Sequence, residues 1–337
     1  MGRISYIIRC IAQMDYKNLF KTVGQVHEKC GKNRLWLLMD IVQSGFRYGA
    51  GYKDYDLFAF YEKTAAQRAT FVTRGVSNSI TKKLNDPGYY HFFDEKNEFY
   101  ENFQEYLHRQ WLYLGNCTDT QLEAFWENHT EAIIKPTGTS GGDGVEKLKM
   151  ADFPTVGALK DYMHKAGTDL IEEVVVQHPD IERLAPGAVN TVRVLTIQAE
   201  GEAHILFAGL RMGNSDRPVD NICAGGMFTP IDKETGIIPN DAWDTQGRVY
   251  THHPKSGEQI RGFQLPFWPE LLAMCKEAAG KIPQMGYLGW DVAITEDGPL
   301  LIEGNNIPSH DLLPQAPLYT PDKIGFLPEF QKYIKDL

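Results

Sequence analysis

The chain has 337 residues, 42% of them apolar and 23% charged, which is enough to bury a core and to form two or three compact units. Its 34 basic and 44 acidic residues give a net charge of −10, which excludes a general nucleic-acid binder, because phosphate contacts demand basic surface. The five cysteines (Cys10, Cys30, Cys117, Cys223 and Cys275) form no Cys-x-x-Cys pair, so a reducing cytoplasm is expected rather than a zinc site or a disulfide framework.

In chain order, residues 1 to about 85 read as helical. Ile4, Ile7, Ile8 and Ile11 recur at helix spacing, flanked by Arg3, Arg9, Lys17 and Lys21. Such a helix packs on the main body, or lies on a membrane surface or a partner. Arg9 interrupts this stretch, which argues against a signal peptide, and no apolar run approaches the roughly 20 residues of a membrane span. A second apolar run holds Leu35, Leu38 and Met39. Phe99, Phe103, Leu107 and Trp111 fall four apart and predict a helix over about 94–115. A short strand follows at residues 132–135. From about 170 onward β-branched runs dominate, at 174–176, 192–197 and 300–302, separated by turn signals such as Glu200-Gly201 and Asp297-Gly298. One helix is expected near 270–281. Strands in runs with few helices argue α+β layers rather than a doubly wound parallel sheet.

Four segments carry chemistry. The first runs from Lys135 through Thr137, Gly138, Thr139, Ser140, Gly141, Gly142 and Asp143 to Gly144. Glycines let backbone N–H groups approach an anion, hydroxyls add donors, and the lysine adds a point charge. No Gly-Lys-Ser/Thr follows, so it is not a Walker A loop. Val145 to Leu148 return as a strand, so it does not open a dinucleotide-binding helix either. The plain alternative is a hairpin loop.

The second segment, from Gly289 to Asn306, reads as a β-hairpin whose turn decides its chemistry. A two-residue turn at Asp297-Gly298 would pair Asp291 with Gly304. A three-residue loop, Glu296-Asp297-Gly298, pairs Asp291 with Glu303 and puts Asn305 on their face. The second register is expected, because it gathers Val292, Ile294, Leu300 and Ile302 on the other, buried face. Two opposed carboxylates repel, and a divalent cation with hard oxygen ligands removes that repulsion.

The third segment, residues 169–179, is an apolar strand with Glu172 and Glu173 in its middle. It offers its backbone to an adenine edge, an acid to the exocyclic amine, and Gln177 to ribose; an edge strand is the plain alternative. The fourth is basic: Arg193 inside an apolar strand, then Arg211 and Arg217, ahead of Asn221, Gly225 and Gly226. A buried arginine needs an anion, either a ligand's or an internal carboxylate. His178, His253 and His310 read as structural hydrogen bonders.

The order of these segments resembles the ATP-grasp enzymes. Val175-Val176-Gln177-His178-Pro179, Val189-Asn190-Thr191-Val192-Arg193 and Gly289-Trp290-Asp291 resemble the sugar-transfer-associated branch, over about residues 50–320. That resemblance implies an α+β fold in which two α/β lobes sandwich ATP, behind a helical N-terminal region. The expected division is 1–90, 91–175 with the lid loop, and 176–337 with the metal site. It implies that Lys135 touches the nucleotide phosphates, that Lys96 is a further nucleotide-binding lysine, and that residues Thr137 to Gly144 form a lid over the phosphates. Glu172 to Val175 would form the adenine hinge, with Gln177 and Asp180 competing for ribose. Asp291, Glu303 and Asn305 would hold two Mg²⁺ ions, and Arg193 and Arg211 would steady the transferred charge, with Arg217, Asn221, Gly225 and Gly226 toward substrate. The activity implied is carboxylate–amine ligation through an acyl phosphate, on small or sugar-linked acids and amines in polysaccharide biosynthesis. A kinase on a hydroxyl acceptor and a non-catalytic nucleotide-binding scaffold are the alternatives. A homodimer and peripheral membrane association through the N-terminal helix are further expectations.

Overall fold

The computed structural model describes residues 15–139, 144–214 and 225–335. They fall into two compact units, one holding the described residues up to Lys83 and from Ser309 onward, the other running from Leu84 to Pro308.

The first unit is helical, as expected. The helix Tyr16–Cys30 is capped by Asp15, whose carboxylate accepts from the Asn18 N–H at 3.1 Å, and it ends at Gly31 with φ 69°. The helix Arg34–Tyr48 is capped in the same way by Asn33 and ends at Gly49 with φ 65°. Leu19, Val23 and Val26 meet Leu37 and Ile41 in a core with Tyr55, Phe58 and Phe60. The buried face of the second helix is therefore set by Leu37 and Ile41, and Leu35 and Met39 of the expected apolar run stand exposed. Asp54 accepts from His310 Nε2 at 2.8 Å and from the Gly51 and Arg74 N–H groups, which ties the returning C-terminal segment to this unit. The apolar run Ile4, Ile7, Ile8 and Ile11 lies outside the described residues.

The second unit holds two antiparallel sheets. The smaller has the order β1-β4-β2-β3, with β1 Trp111–Tyr113, β2 Glu131–Lys135, β3 Glu146–Lys149 and β4 Leu170–Glu173. The helices Asp119–Asn128 and Val156–Ala166 cover one face, burying Leu122, Phe125, Leu159 and Met163 against Ile134, Leu148 and Ile171. The larger sheet has the order β11-β10-β5-β6-β7-β8-β9. Its strands are β5 Val192–Ala199, β6 Glu202–Met212, β7 Met227–Pro230, β8 Ala242–Trp243, β9 Val249–Tyr250, β10 Tyr287–Thr295 and β11 Gly298–Asn305. The helix Trp268–Lys281 packs on this sheet through Trp268, Leu271, Met274, Cys275 and Ala278, against a cluster that includes Val194, Trp290, Val292 and Leu301.

Three expectations need correction. The four-residue spacing from Phe99 to Trp111 does not make one helix: Lys96–Asn102 is helical, a single 3-10 turn follows, and Trp111 opens β1. Phe99, Phe103 and Leu107 are buried together, so burial rather than helical continuity produced the spacing. The run Val174-Val175-Val176 is not a strand, because β4 stops at Glu173, and β4 is interior, between β1 and β2, not an edge. The hairpin pairs Asp291 with Glu303 as expected, but by a different route. Thr295 pairs with Gly298, so the turn is the two residues Glu296-Asp297. A bulge then inserts one extra residue, Ile302, between the Leu301 and Glu303 pairings. Val292 and Ile294 consequently face Leu301 and Pro299, while Leu300 pairs with Ala293.

Candidate active site

The face of the larger sheet opposite the helix Trp268–Lys281 carries a row of buried and half-buried charge. Glu303 on β11 faces Asp291 on β10, and Asp291 faces Arg193 on β5, each in register. Because side chains alternate along a strand, Asn305 shares this face, as does Arg211 two residues beyond Gly209, the partner of Arg193. Gly209 leaves the room that Phe228 occupies: a Cβ there would lie 2.3 Å from its ring.

Arg193 grips Asp291 with Nε at 2.5 Å and Nη2 at 3.0 Å, and Arg211 Nη1 adds a bond of 2.8 Å. Burial alone would raise the Asp291 carboxyl, but the two guanidinium charges outweigh it and hold that acid well below the usual carboxylate range. Glu303 lies beyond them. Burial first, and then the charge of Asp291, push its carboxyl up to about 7. The internal-carboxylate reading of Arg193 therefore holds here, and the carboxylate is itself a candidate metal ligand. Among the described residues no three His, Cys, Asp or Glu side chains gather as a metal cage. A cation at this site would rest on Asp291, Glu303 and the Asn305 amide and take its remaining oxygens from a ligand, which is how Mg²⁺ is commonly held beside phosphates. The donor set fits: two hard carboxylates face each other, and their mutual repulsion is expressed in the raised Glu303.

The smaller sheet supplies a second charged cluster. Lys135, at the end of β2, donates to Glu172 Oε1 and to the Tyr100 hydroxyl, each at 2.5 Å. Arg109 donates Nε to Glu172 Oε2 at 2.9 Å and Nη2 to the Tyr100 oxygen at 2.8 Å. All four groups are buried or nearly so. Burial raises the Glu172 carboxyl, but Arg109 and Lys135 overcome it and bring it down to about 2. Glu173 points the other way, and its carboxylate accepts from the Gln110 N–H at 3.2 Å.

Lys96 lies at the mouth of the glycine loop. Its ammonium donates to the carbonyls of Pro136 at 3.0 Å and Thr137 at 3.2 Å, and to that of Thr139. Burial, and then the charge of Lys135, lower the Lys96 pKa, opposed by Glu303, Asp169 and Glu172, so these groups share one neighbourhood. Asp169 clamps the start of the loop by accepting from the N–H and hydroxyl of Thr137 at 2.8 and 2.9 Å. At its far end Gly144 adopts φ 76°, and a Cβ there would strike the Pro136 ring at 2.9 Å. Ser140, Gly141 and Gly142, and likewise Arg217 and Asn221, lie outside the described residues. Gly225 and Gly226 lead into β7.

Beyond β4, Val174 and Val175 are half-buried and Val176 is 76% exposed. Among the described residues nothing hydrogen-bonds the main chain of Val174, Val175 or Val176 until the His178 N–H meets Ile294 O at 2.7 Å. An interior strand thus ends in a short stretch of unspent backbone, which is what an adenine edge requires. Gln177 is turned inward: its oxygen accepts from the Asn190 N–H at 3.1 Å and side-chain amide at 3.0 Å, and its nitrogen donates to Glu182 and to Ala185 O. Asp180 is exposed in the first turn of the helix Pro179–Leu184.

The sequence reading brought Lys96, Lys135, Glu172, Arg193, Arg211, Asp291, Glu303 and Asn305 forward, and the structure gathers them in one unit. It missed Tyr100, Arg109 and Asp169. Tyr100 sits in an aromatic run and Arg109 follows a histidine in a loop, so neither carries a local pattern. Asp169 precedes the hinge strand, where a polar residue reads as a turn.

Residues 76–316 match the family model for sugar-transfer associated ATP-grasp, and the chain belongs to that family. The particular relatives are more distant. Over 111 residues the chain is 29% identical to a glutathione synthetase of Citrobacter rodentium, covering 33% of this chain and 31% of that protein, so it spans about a third of that relative's length. Among solved structures it is similar to the D-cycloserine synthetase DcsG, with a TM-score of 0.43, 12% identity, and coverage of 85% of this chain and 82% of that one. It is also similar to D-alanyl-alanine synthetase A of Vibrio cholerae, with a TM-score of 0.41, 11% identity, and coverage of 72% and 63%.

Proposed function

We propose that this protein is an ATP- and Mg²⁺-dependent ligase that activates a carboxylate and joins it to an amine. The observation that carries the reading is the in-register opposition of Asp291 and Glu303, with Asn305 on the same face and Arg193 and Arg211 behind Asp291. Bound nucleotide and two metal ions would supply the transferable phosphoryl group and the charge that neutralises it.

The chain's own residues do the rest. The unspent backbone of Val174 to Val176 holds the base, with Glu172 fixed beside it by Arg109 and Tyr100. Asp180 is the better placed of the two ribose candidates, because the Gln177 amide is consumed internally. Lys135 and Lys96 bring positive charge to the glycine loop. Arg193 and Arg211 fix the orientation of Asp291 and bring two positive charges to the place where negative charge develops, the kind of preorganisation from which phosphoryl-transfer sites gain most of their rate. The acid substrate attacks the γ-phosphorus of ATP through its own oxygen, the bond to the β-phosphate oxygen breaks and ADP leaves, and the amine then displaces phosphate from the acyl phosphate to form the amide, so no protein nucleophile takes part. The acid and amine are proposed to be small or sugar-linked molecules in cytoplasmic steps of polysaccharide assembly.

ADP release across panels of acids and amines, including amino acids and uronic acids, tests the reading. A ligase given hydroxylamine in place of the amine yields a hydroxamate. A stable phosphoester instead would establish a kinase. Absence of ADP release throughout, with nucleotide affinity unchanged in Asp291→Asn, would establish a scaffold.

A further inference from the structure

The helical unit presents an apolar surface that its own core does not use. Fourteen large apolar side chains are exposed among the described residues, and seven of them fall between positions 16 and 46. Tyr16 and Phe20 stand on the first helix. Leu35, Trp36, Met39, Val42 and Phe46 stand on the second, with Leu35 65% and Met39 58% exposed. The spacing of Leu35, Met39, Val42 and Phe46 is four, three, four, which places them along one stripe opposite the buried Leu37, Ile41 and Ser44. A shallow depression on this side is lined by Leu38, Met39, Val42, Gln43, Phe46 and Arg47, almost wholly apolar. Exposed patches of this kind mark sites of association.

Charge selects the occupant. Lys17, Lys21, Arg34 and Arg47 are exposed on these two helices, against the exposed acids Asp15 and Glu28, in a chain whose net charge is −10. Asp40 is turned inward, where Arg68 binds it at 2.7 Å. A two-fold pairing through this face would set one basic patch against an identical one, because both copies present the same surface there. A surface of anionic headgroups over acyl chains meets both features. Basic side chains reach the headgroups, aromatic rings sit at their level, and the aliphatic stripe enters the boundary. None of the described helices is long and apolar enough to cross a membrane.

We propose that the helix pair Tyr16–Cys30 and Arg34–Tyr48 docks the protein on an anionic lipid bilayer, through the stripe from Leu35 to Phe46 and the flanking lysines and arginines. This inference is independent of the reaction proposed above.

Sedimentation of the full chain with vesicles tests it. Binding is expected to vesicles of phosphatidylcholine containing roughly a third phosphatidylglycerol, about ten-fold weaker to phosphatidylcholine alone, and weaker again as salt is raised. Met39→Glu and Phe46→Glu, at exposed positions, are expected to abolish sedimentation while leaving the helical circular dichroism and the melting temperature unchanged. Lys17→Glu with Lys21→Glu is expected to reduce binding to anionic vesicles only. Failure of the wild type to bind anionic vesicles overturns the proposal, as does undiminished binding by both stripe variants. If light scattering shows a dimer that Met39→Glu renders monomeric, and vesicles do not sediment the wild type, the face belongs to a second copy of the chain.

Discussion

Arg109 is hydrogen-bonded through Nη1 to the main-chain oxygen of Leu301 at 2.7 Å, while its Nε holds Glu172 at 2.9 Å. One side chain thus joins Glu172 of β4, beside which the base is proposed to bind, to the strand that carries Glu303. Leu301 is the residue immediately before the bulged Ile302. A bulge interrupts the ladder, and here the guanidinium takes up the carbonyl beside it. The two sheets of this unit are therefore coupled by a buried cation as well as by apolar packing.

Arg109→Ala should destabilise the protein by about 3 kcal/mol or more, since it leaves the Glu172 charge and the Leu301 carbonyl buried with fewer partners. Arg109→Lys should recover only part of the loss, because an ammonium cannot span the acid, the hydroxyl and the carbonyl that the fork reaches together. Urea midpoints measure the stability, and calorimetric titration with a non-hydrolysable ATP analogue measures the binding. The expected pattern is a loss in both. Analogue affinity equal to wild type in Arg109→Lys would show that the hinge does not depend on this link.

Asp291 and Glu303 should respond to amide substitution with opposite effects on stability and the same effect on turnover. Asp291→Asn removes the anion that Arg193 and Arg211 share, so the melting temperature should fall. Glu303→Gln removes a carboxyl that burial and Asp291 already disfavour in its charged form, so the melting temperature of the metal-free protein near pH 8 should hold or rise. Both should lower Mg²⁺-dependent ADP release by about a hundred-fold or more, the scale of losing a preorganised charge at a transferring group. A stabilising Asp291→Asn would mean that the arginines do not depend on it.

His253 should make the protein sensitive to mild acid. It is fully buried, with Nε2 donating to Gly213 O at 2.9 Å and Nδ1 accepting from the Lys255 N–H at 3.3 Å. Burial lowers its pKa below 6.5 in the folded protein, against the Gly213 bond. In the window below 6.5 the unfolded chain binds a proton that the folded chain refuses, so stability falls as pH falls through that window. In His253→Gln this component of the slope should vanish from melting temperatures taken between pH 7.5 and about 5.5. An identical slope in the variant would assign the sensitivity to other groups.

Gly304→Ala should be costly for its size. A Cβ at this position would lie 2.7 Å from the Phe99 ring and 2.8 Å from that of Phe93. Overpacking of this kind costs roughly 1–3 kcal/mol, and the displaced backbone lies between Glu303 and Asn305. The Mg²⁺ concentration giving half-maximal ADP release should therefore rise together with the loss in urea midpoint. A normal midpoint with normal metal dependence would show that the two rings yield freely.

Much of the candidate site is legible in the sequence. Lys135 before a run of glycines, an arginine inside an apolar strand, and acids placed to face each other across a hairpin each break a local rule, and such breaks mark chemistry. The expected pairing of Asp291 with Glu303 is present, but it is produced by a two-residue turn and an extra residue at 302. Turn length and bulge trade against each other in register, so the sequence constrained their sum and not either one. The helix expected through Trp111 failed for a related reason: a four-residue recurrence of aromatics records which side is buried, and a helix followed by a 3-10 turn and a strand can bury the same side.

What the sequence determined by itself was the inventory: an acidic chain with local basic and glycine-rich segments, antiparallel strands with a helical start, and the residue types for a nucleotide and a metal. Only the tertiary structure decided the partnerships. That Lys135 and Arg109 share Glu172, that Arg193 and Arg211 share Asp291, and that Gln177 is spent on Asn190 are contacts between residues up to 98 positions apart. No periodicity encodes them, because a buried charge is satisfied by whichever opposite charge the packing of distant strands brings within reach.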